Sequence, residues 1–161
     1  MGYTTYFEGG VTVTPALNAE EIAYLNKFNS TRRMHCKQGP YYVERGGYMG
    51  QDYDPPNVID YNEPPPGQPS LWCQWAPSED GTSIAWDGGE KFYNAGEWMT
   101  YIIEHFVGPA PKAKSALPFL QGHKIEGTIN AQGEDRSDVW RIIVTDGVVR
   151  TERGEVTIAY R

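Results

Sequence analysis

Val11-Thr12-Val13-Thr14 followed by Leu17-Asn18-Ala19-Glu20-Glu21-Ile22 sets a strand in front of a capped helix, and the chain repeats that pattern later. Asn18 is placed to cap, Glu21 sits three residues on, and Leu17 can staple onto Ile22. Ile22, Leu25 and Phe28 share one face, which predicts a helix from Ala19 to Asn29. The second unit opens with Thr82-Ser83-Ile84-Ala85-Trp86 as strand, and Tyr93-Asn94-Ala95-Gly96-Glu97-Trp98 repeats staple and capping box. Trp98, Ile102 and Phe106 continue it at a spacing of four until Gly108-Pro109 ends the helix. Two units built alike predict a β-α-β-β-α-β core of ferredoxin-like type.

Other strands surround that core. Tyr3-Thr4-Thr5-Tyr6-Phe7-Glu8 is strand-like and reaches Val11 through a kink or bulge at Gly9-Gly10. Leu71 to Trp75 and Thr82 to Trp86 flank Glu79-Asp80-Gly81 as a hairpin. Lys124 to Ala131, Val139 to Thr145, Val148 to Thr151 and Val156 to Tyr160 form a C-terminal β-meander, with turns at Asp146-Gly147 and Arg153-Gly154. The expectation is one α+β domain over residues 1–161: a mostly antiparallel, twisted sheet with two helices packed on one face. Residues 46–69, rich in Gly, Pro and Tyr, are expected to be an ordered functional loop, and 109–122 a crossover linker.

Composition narrows the function. The chain has 161 residues, enough for a real core, and a net charge of -7 from 21 acidic and 14 basic residues. Proteins that bind nucleic acid gain affinity by neutralising phosphates with Lys and Arg, so general DNA or RNA binding is not expected. A local pocket for a small anion, or an acidic surface that mimics nucleic acid, is compatible with that charge. Cys36 and Cys73 are expected to be free thiols in a reducing cytosol, and no stretch approaches the ~20 apolar residues of a membrane span. Cytoplasmic localisation follows as an expectation, and an oligomer is compatible with the sequence. Eleven Tyr and five Trp exceed what the core needs, so some of them, Trp72 and Trp75 included, are expected to line a surface or cleft.

Three polar clusters are candidate sites. Arg32 and Arg33, just past the first helix, either complement its C-terminus or form an anion clamp. Trp86-Asp87-Gly88-Gly89-Glu90-Lys91-Phe92-Tyr93 leads into the second helix; it is either a plain strand-to-helix turn or a place where glycine amides approach an anion. Gln132-Gly133-Glu134-Asp135-Arg136-Ser137-Asp138, followed by Arg141, is either a solvated hairpin tip or a carboxylate cluster for Mg²⁺ or Ca²⁺. Strand alternation puts Arg141 on one face with Val139, and Trp140 on the other with Ile142.

No hydrolytic triad can be assembled, and His35, Cys36 and Cys73 lack zinc-type spacing. The sequence therefore leans away from an enzyme. The leading expectation is a binding protein for a nucleotide-like small molecule, held by Arg32, Arg33, Arg141, Trp72, Trp75, Trp86, Tyr93, Lys91 and Gln132. Asp87, Glu90, Glu134, Asp135 and Asp138 would accept from ribose hydroxyls or base amines. The alternatives are an inhibitor that occludes a host protein, and a carboxylate- or Mg²⁺-dependent hydrolase using Glu90, Glu134, Asp135 or Asp138.

Several longer strings occur together. They are Met-Gly-Tyr-Thr-Thr at the start, Thr31-Arg32-Arg33-Met34, Leu71-Trp72-Cys73-Gln74-Trp75, Trp86 to Tyr93, and Gln132-Gly133-Glu134-Asp135 with Asp138. With them the chain resembles, over nearly its full length, an uncharacterised family of small proteins from bacteriophages, prophages and bacterial genomes. The resemblance departs at Ala95-Gly96 and at Val139-Trp140, where no chargeable group is lost. It implies a phage or mobile-element context. By analogy with other small acidic phage proteins it implies action on host defence, by sequestering a signal or covering a host protein.

Overall fold

A computed structural model describes residues 2–43 and 58–154. The elements run β1 (Tyr6–Glu8), β2 (Gly10–Thr14), α1 (Ala19–Asn29), β3 (His35–Cys36), β4 (Val58–Asp60), β5 (Trp75–Pro77), β6 (Ser83–Trp86), α2 (Ala95–Ile102), β7 (Lys124–Gln132), β8 (Val139–Thr145) and β9 (Val148–Arg153). The main sheet has the order β5-β6-β2-β7-β8-β9, with β1 also pairing to β7. Every pairing in it is antiparallel. With α1 between β2 and β5 and α2 between β6 and β7, strands β5-β6-β2-β7 have the expected split β-α-β order. β8 and β9 extend the sheet as a meander.

One face of the sheet is apolar. Val11, Val13, Ile84, Ile125, Ile129, Ile142 and Val144 are buried. Both helices cover that face and meet over it: the Phe28 ring lies 5.8 Å from Trp98 and 5.0 Å from Phe106. The opposite face, bearing Thr12, Thr128, Asn130 and Arg141, is exposed. This polar-out, apolar-in alternation is what an antiparallel sheet wetted on one side requires.

β1 and β2 act as one kinked strand. Glu8 faces Asn130 and Val11 faces Gly127, so equal numbers of residues span the glycines on both strands and no bulge forms. Gly9 has φ of 95°, and a Cβ there would stand 2.9 Å from the Thr128 carbonyl oxygen. The kink therefore needs glycine at this point.

The first capping box forms as expected: Glu21 N–H donates to Asn18 Oδ1 (2.8 Å) and Asn18 N–H to Glu21 Oε1 (2.9 Å). The second does not. Asn94 is left-handed, with φ of 60°, and its side-chain amide turns to the Glu97 carboxylate instead of capping amides. Asn tolerates that conformation better than most residues, and once there its side chain points away from the first turn. The end of α2 widens into a π-turn over Ile103–Val107, closed by Gly108 N–H donating to the Ile103 carbonyl at 2.8 Å.

The remaining differences are local. Residues 71–74 approach β5 without being strand, and residues 109–122 lack helix and strand, as the linker expectation had it. The described part of the long 46–69 loop begins with β4, paired with β3, while its residues 46–57 lie outside the described residues. Gly154 N–H donates to the Val139 carbonyl at 2.8 Å, so β9 stays on the β8 ladder to its end, and the turn expected at Arg153-Gly154 leads into residues outside the described ones. The expected strand Val156 to Tyr160 lies outside the described residues. Among the described residues no helix is long and apolar enough to cross a membrane.

Candidate binding cleft

Pairing across β1, β7, β8 and β9 sets two rows of side chains side by side on the open face. Glu8 faces Asn130, Asn130 faces Arg141, and Arg141 faces Glu152. The neighbouring row runs from Tyr6 through Gln132 to Val139, with Gly154 held against Val139. Together these residues, joined at the rim by Arg153, line a cleft of about 470 Å³. That volume lies in the range of small-molecule sites.

The cleft has a charge pattern. Arg141 Nε and Nη2 both donate to Glu152 Oε1, at 3.1 and 2.9 Å, and Arg150 Nη1 reaches Glu152 Oε2 at 2.5 Å. The Arg141 hydrogen bonds, followed by Arg150, hold the Glu152 carboxyl below the ordinary glutamate value. Arg153 Nη1 donates to Asp138 Oδ1 at 2.8 Å. All three guanidinium groups are more than half exposed, so these pairs are of the solvent-screened kind that an incoming anion can rearrange. Tyr6 is 58% exposed and meets Trp86 edge to face at 6.0 Å.

The sequence-derived residues divide. Gln132 and Arg141 line this cleft, and Asp138 anchors its Arg153. Arg33 does not: it is 2% exposed, its guanidinium lies 4.1 Å over the Phe28 ring, and it donates to the Pro40 carbonyl and Gln68 Oε1. Its burial pulls its pKa below the usual arginine value. Arg32 Nε donates to the Tyr61 carbonyl at 3.3 Å. The two arginines therefore do not form an outward-facing pair. Trp75, 1% exposed with its indole N–H on the Ala95 carbonyl, packs with Phe7 and Phe92 in the core. Trp86 is half-buried against Phe7, with its N–H shared by Gln74 Oε1 and the Gly89 carbonyl, and Trp72 is half-buried.

The turn before α2 is bonded to itself. Asp87 Oδ1 accepts from Gly89 N–H at 2.8 Å, and partial burial raises the Asp87 pKa. The Glu90 carbonyl accepts from Gln74, while the Glu90 and Lys91 side chains are exposed. Tyr93 and Asp138 share a second cleft of about 710 Å³ at the start of α2. The Glu97 carboxylate there occupies the end of the helix that would favour an anion.

The acidic cluster serves to fasten the N-terminal segment. Glu134 Oε1 accepts from Thr4 N–H (2.8 Å), Asp138 Oδ2 from the Tyr3 hydroxyl (2.8 Å), and Asp135 Oδ1 from Ser137 N–H and Oγ. Among the described residues no three His, Cys, Asp or Glu side chains group to hold a metal ion.

Sequence reasoning missed Tyr6, Glu8, Asn130, Glu152 and Arg153. The usable signal was the period-two polar alternation on β1 and β7, which marks one wet face. Their meeting depends on register between strands distant in sequence. No protein-family model matches the chain, and neither a curated protein nor a solved structure matches it significantly.

Proposed function

We propose that this protein binds a small anionic ligand of nucleotide type in the cleft on the open sheet face. The observation that carries the reading is the row Glu8–Asn130–Arg141–Glu152 beside an exposed Tyr6, inside one cleft. Arginine forks suit phosphate oxygens. An exposed tyrosine offers a face on which a base stacks, worth ~1–3 kcal/mol. Asn130 supplies amide hydrogen bonds, Gln132, whose Nε2 is held by the Gly133 and Asp135 carbonyls, offers its Oε1, and Glu8 and Glu152 accept from sugar hydroxyls or base amines. The acidic net charge disfavours a polyanion while leaving this local group of arginines for a single small one. The central strands carry Gly10, Thr12, Ser83 and Ala85 on the open face, without the aromatic platform by which sheets of this order bind single-stranded RNA. The resemblance to phage proteins supports a host defence signal as the ligand to be sequestered.

Calorimetric titration with mononucleotides and cyclic dinucleotides tests the proposal. Arg141→Ala and Tyr6→Ala should each weaken binding about tenfold or more, equivalent to ~1.4 kcal/mol, while the melting temperature stays near wild type. Binding that survives both substitutions unchanged removes this cleft as the site.

A further inference from the structure

Among the described residues the main sheet has two edges of very different character. β5 is three residues long and ends in Pro77, a short edge of the kind that resists pairing. β9 is six residues long, has no proline, and carries no further strand among the described residues. Its backbone phase follows from Gly154, whose N–H donates inward to the Val139 carbonyl. Antiparallel ladders alternate, so Glu152 and Arg150 also address β8, while Val149, Thr151 and Arg153 turn their amides and carbonyls outward.

We infer that the β9 edge is a self-association surface, joining two copies of this chain through antiparallel β9–β9 pairing centred on Thr151. Charge complementarity selects that partner and that register. With Thr151 opposite itself, Arg150 faces Glu152 of the partner subunit, and Glu152 faces the partner subunit's Arg150. Both pairs lie on the open face in the closely spaced, non-hydrogen-bonded positions where cross-strand side chains interact most. Moving the centre to Val149 would set Glu152 against Asp146 of the partner subunit and Arg150 against Val148, losing both ion pairs. The Thr151 register supplies about six backbone hydrogen bonds from the outward groups of Val149, Thr151 and Arg153. It also extends the row Glu8–Asn130–Arg141–Glu152 by the partner subunit's Arg150. The inference rests on the edge alone and stands whether or not the cleft binds a nucleotide.

Sedimentation equilibrium of the full chain, with a charge swap, tests it. Wild type should pass from monomer toward dimer between micromolar and millimolar concentration. Arg150→Glu and Glu152→Arg should each shift that transition at least about tenfold upward, and the double variant R150E/E152R should restore it. Hydrogen exchange on wild type gives an independent reading: amides of Val149, Thr151 and Arg153 should gain protection as concentration rises. A monomer at every concentration overturns the inference. So does a dimer indifferent to the single reversals, or a double variant that stays monomeric while the outward amides remain unprotected.

Discussion

His123 and Glu21 meet in the core, Nε2 to Oε2 at 2.8 Å, with both side chains fully buried. The imidazole is held from its other side by the Pro15 carbonyl, 2.6 Å from Nδ1. A carbonyl only accepts, so Nδ1 bears hydrogen and Nε2 is left to the carboxylate. Glu21 also takes Asn18 N–H and Gln121 N–H, so one carboxylate ties the start of α1 to the loop leading into β7.

Removing one partner strands the other in the core. Glu21→Ala and His123→Ala should each cost about 3–5 kcal/mol in urea unfolding, the range for breaking a buried pair. The double variant should cost clearly less than the sum, since the loss is shared. Singles costing under about 1 kcal/mol would refute this role.

Arg33 is a packing residue. Arg33→Ala removes the group lying over Phe28 and the bond to the Pro40 carbonyl, and should destabilise by roughly 2–4 kcal/mol. A surface clamp would instead lose ligand affinity at unchanged melting temperature. Thermal unfolding of this single variant separates the two roles.

Burial pushes the Cys73 thiol up to about 12, so it is protonated and enclosed at neutral pH. Native protein treated with an aromatic disulfide reagent at pH 8 should release at most one equivalent, from the partly exposed Cys36. Denaturant should expose the second. Two fast equivalents from native protein would contradict the packing around Cys73.

Asp80 closes the β5–β6 turn, accepting from Thr82 Oγ1, Thr82 N–H and Ser78 Oγ. The Thr82 side-chain bond, then the Thr82 backbone and Ser78 bonds, depress its pKa to about 2. Because the folded value lies below the unfolded one, the ionised form stabilises the fold at higher pH. That contribution is present above about pH 4 and is lost as pH falls through about 2. Asp80→Asn should therefore melt earlier than wild type at pH 7, with the gap closing toward pH 2. A gap independent of pH would assign the effect to shape alone.

What was legible in the sequence was local or periodic. The Asn18–Glu21 box, the Trp98–Ile102–Phe106 face and the strands β7 and β8 are set by spacing within a few residues, and the order of the core strands followed from two units built alike. Asn94 shows the limit: identical spacing gave no cap, because a left-handed backbone outweighed it. Trp75 and Arg33 look like ligand contacts in the sequence because aromatic count and charge do not reveal which side chains the tertiary fold encloses. The cleft was hidden for a related reason, since Glu8, Asn130 and Glu152 become neighbours only through register.

The most direct test of the binding account is mass spectrometry of small molecules released by heat from the protein purified from the cells that express it, with Arg141→Ala alongside. The account predicts a nucleotide or cyclic dinucleotide near one-to-one with wild type and depleted from the variant. Equal amounts released from both proteins, or wild type that releases none and binds none of the panel on titration, would contradict it.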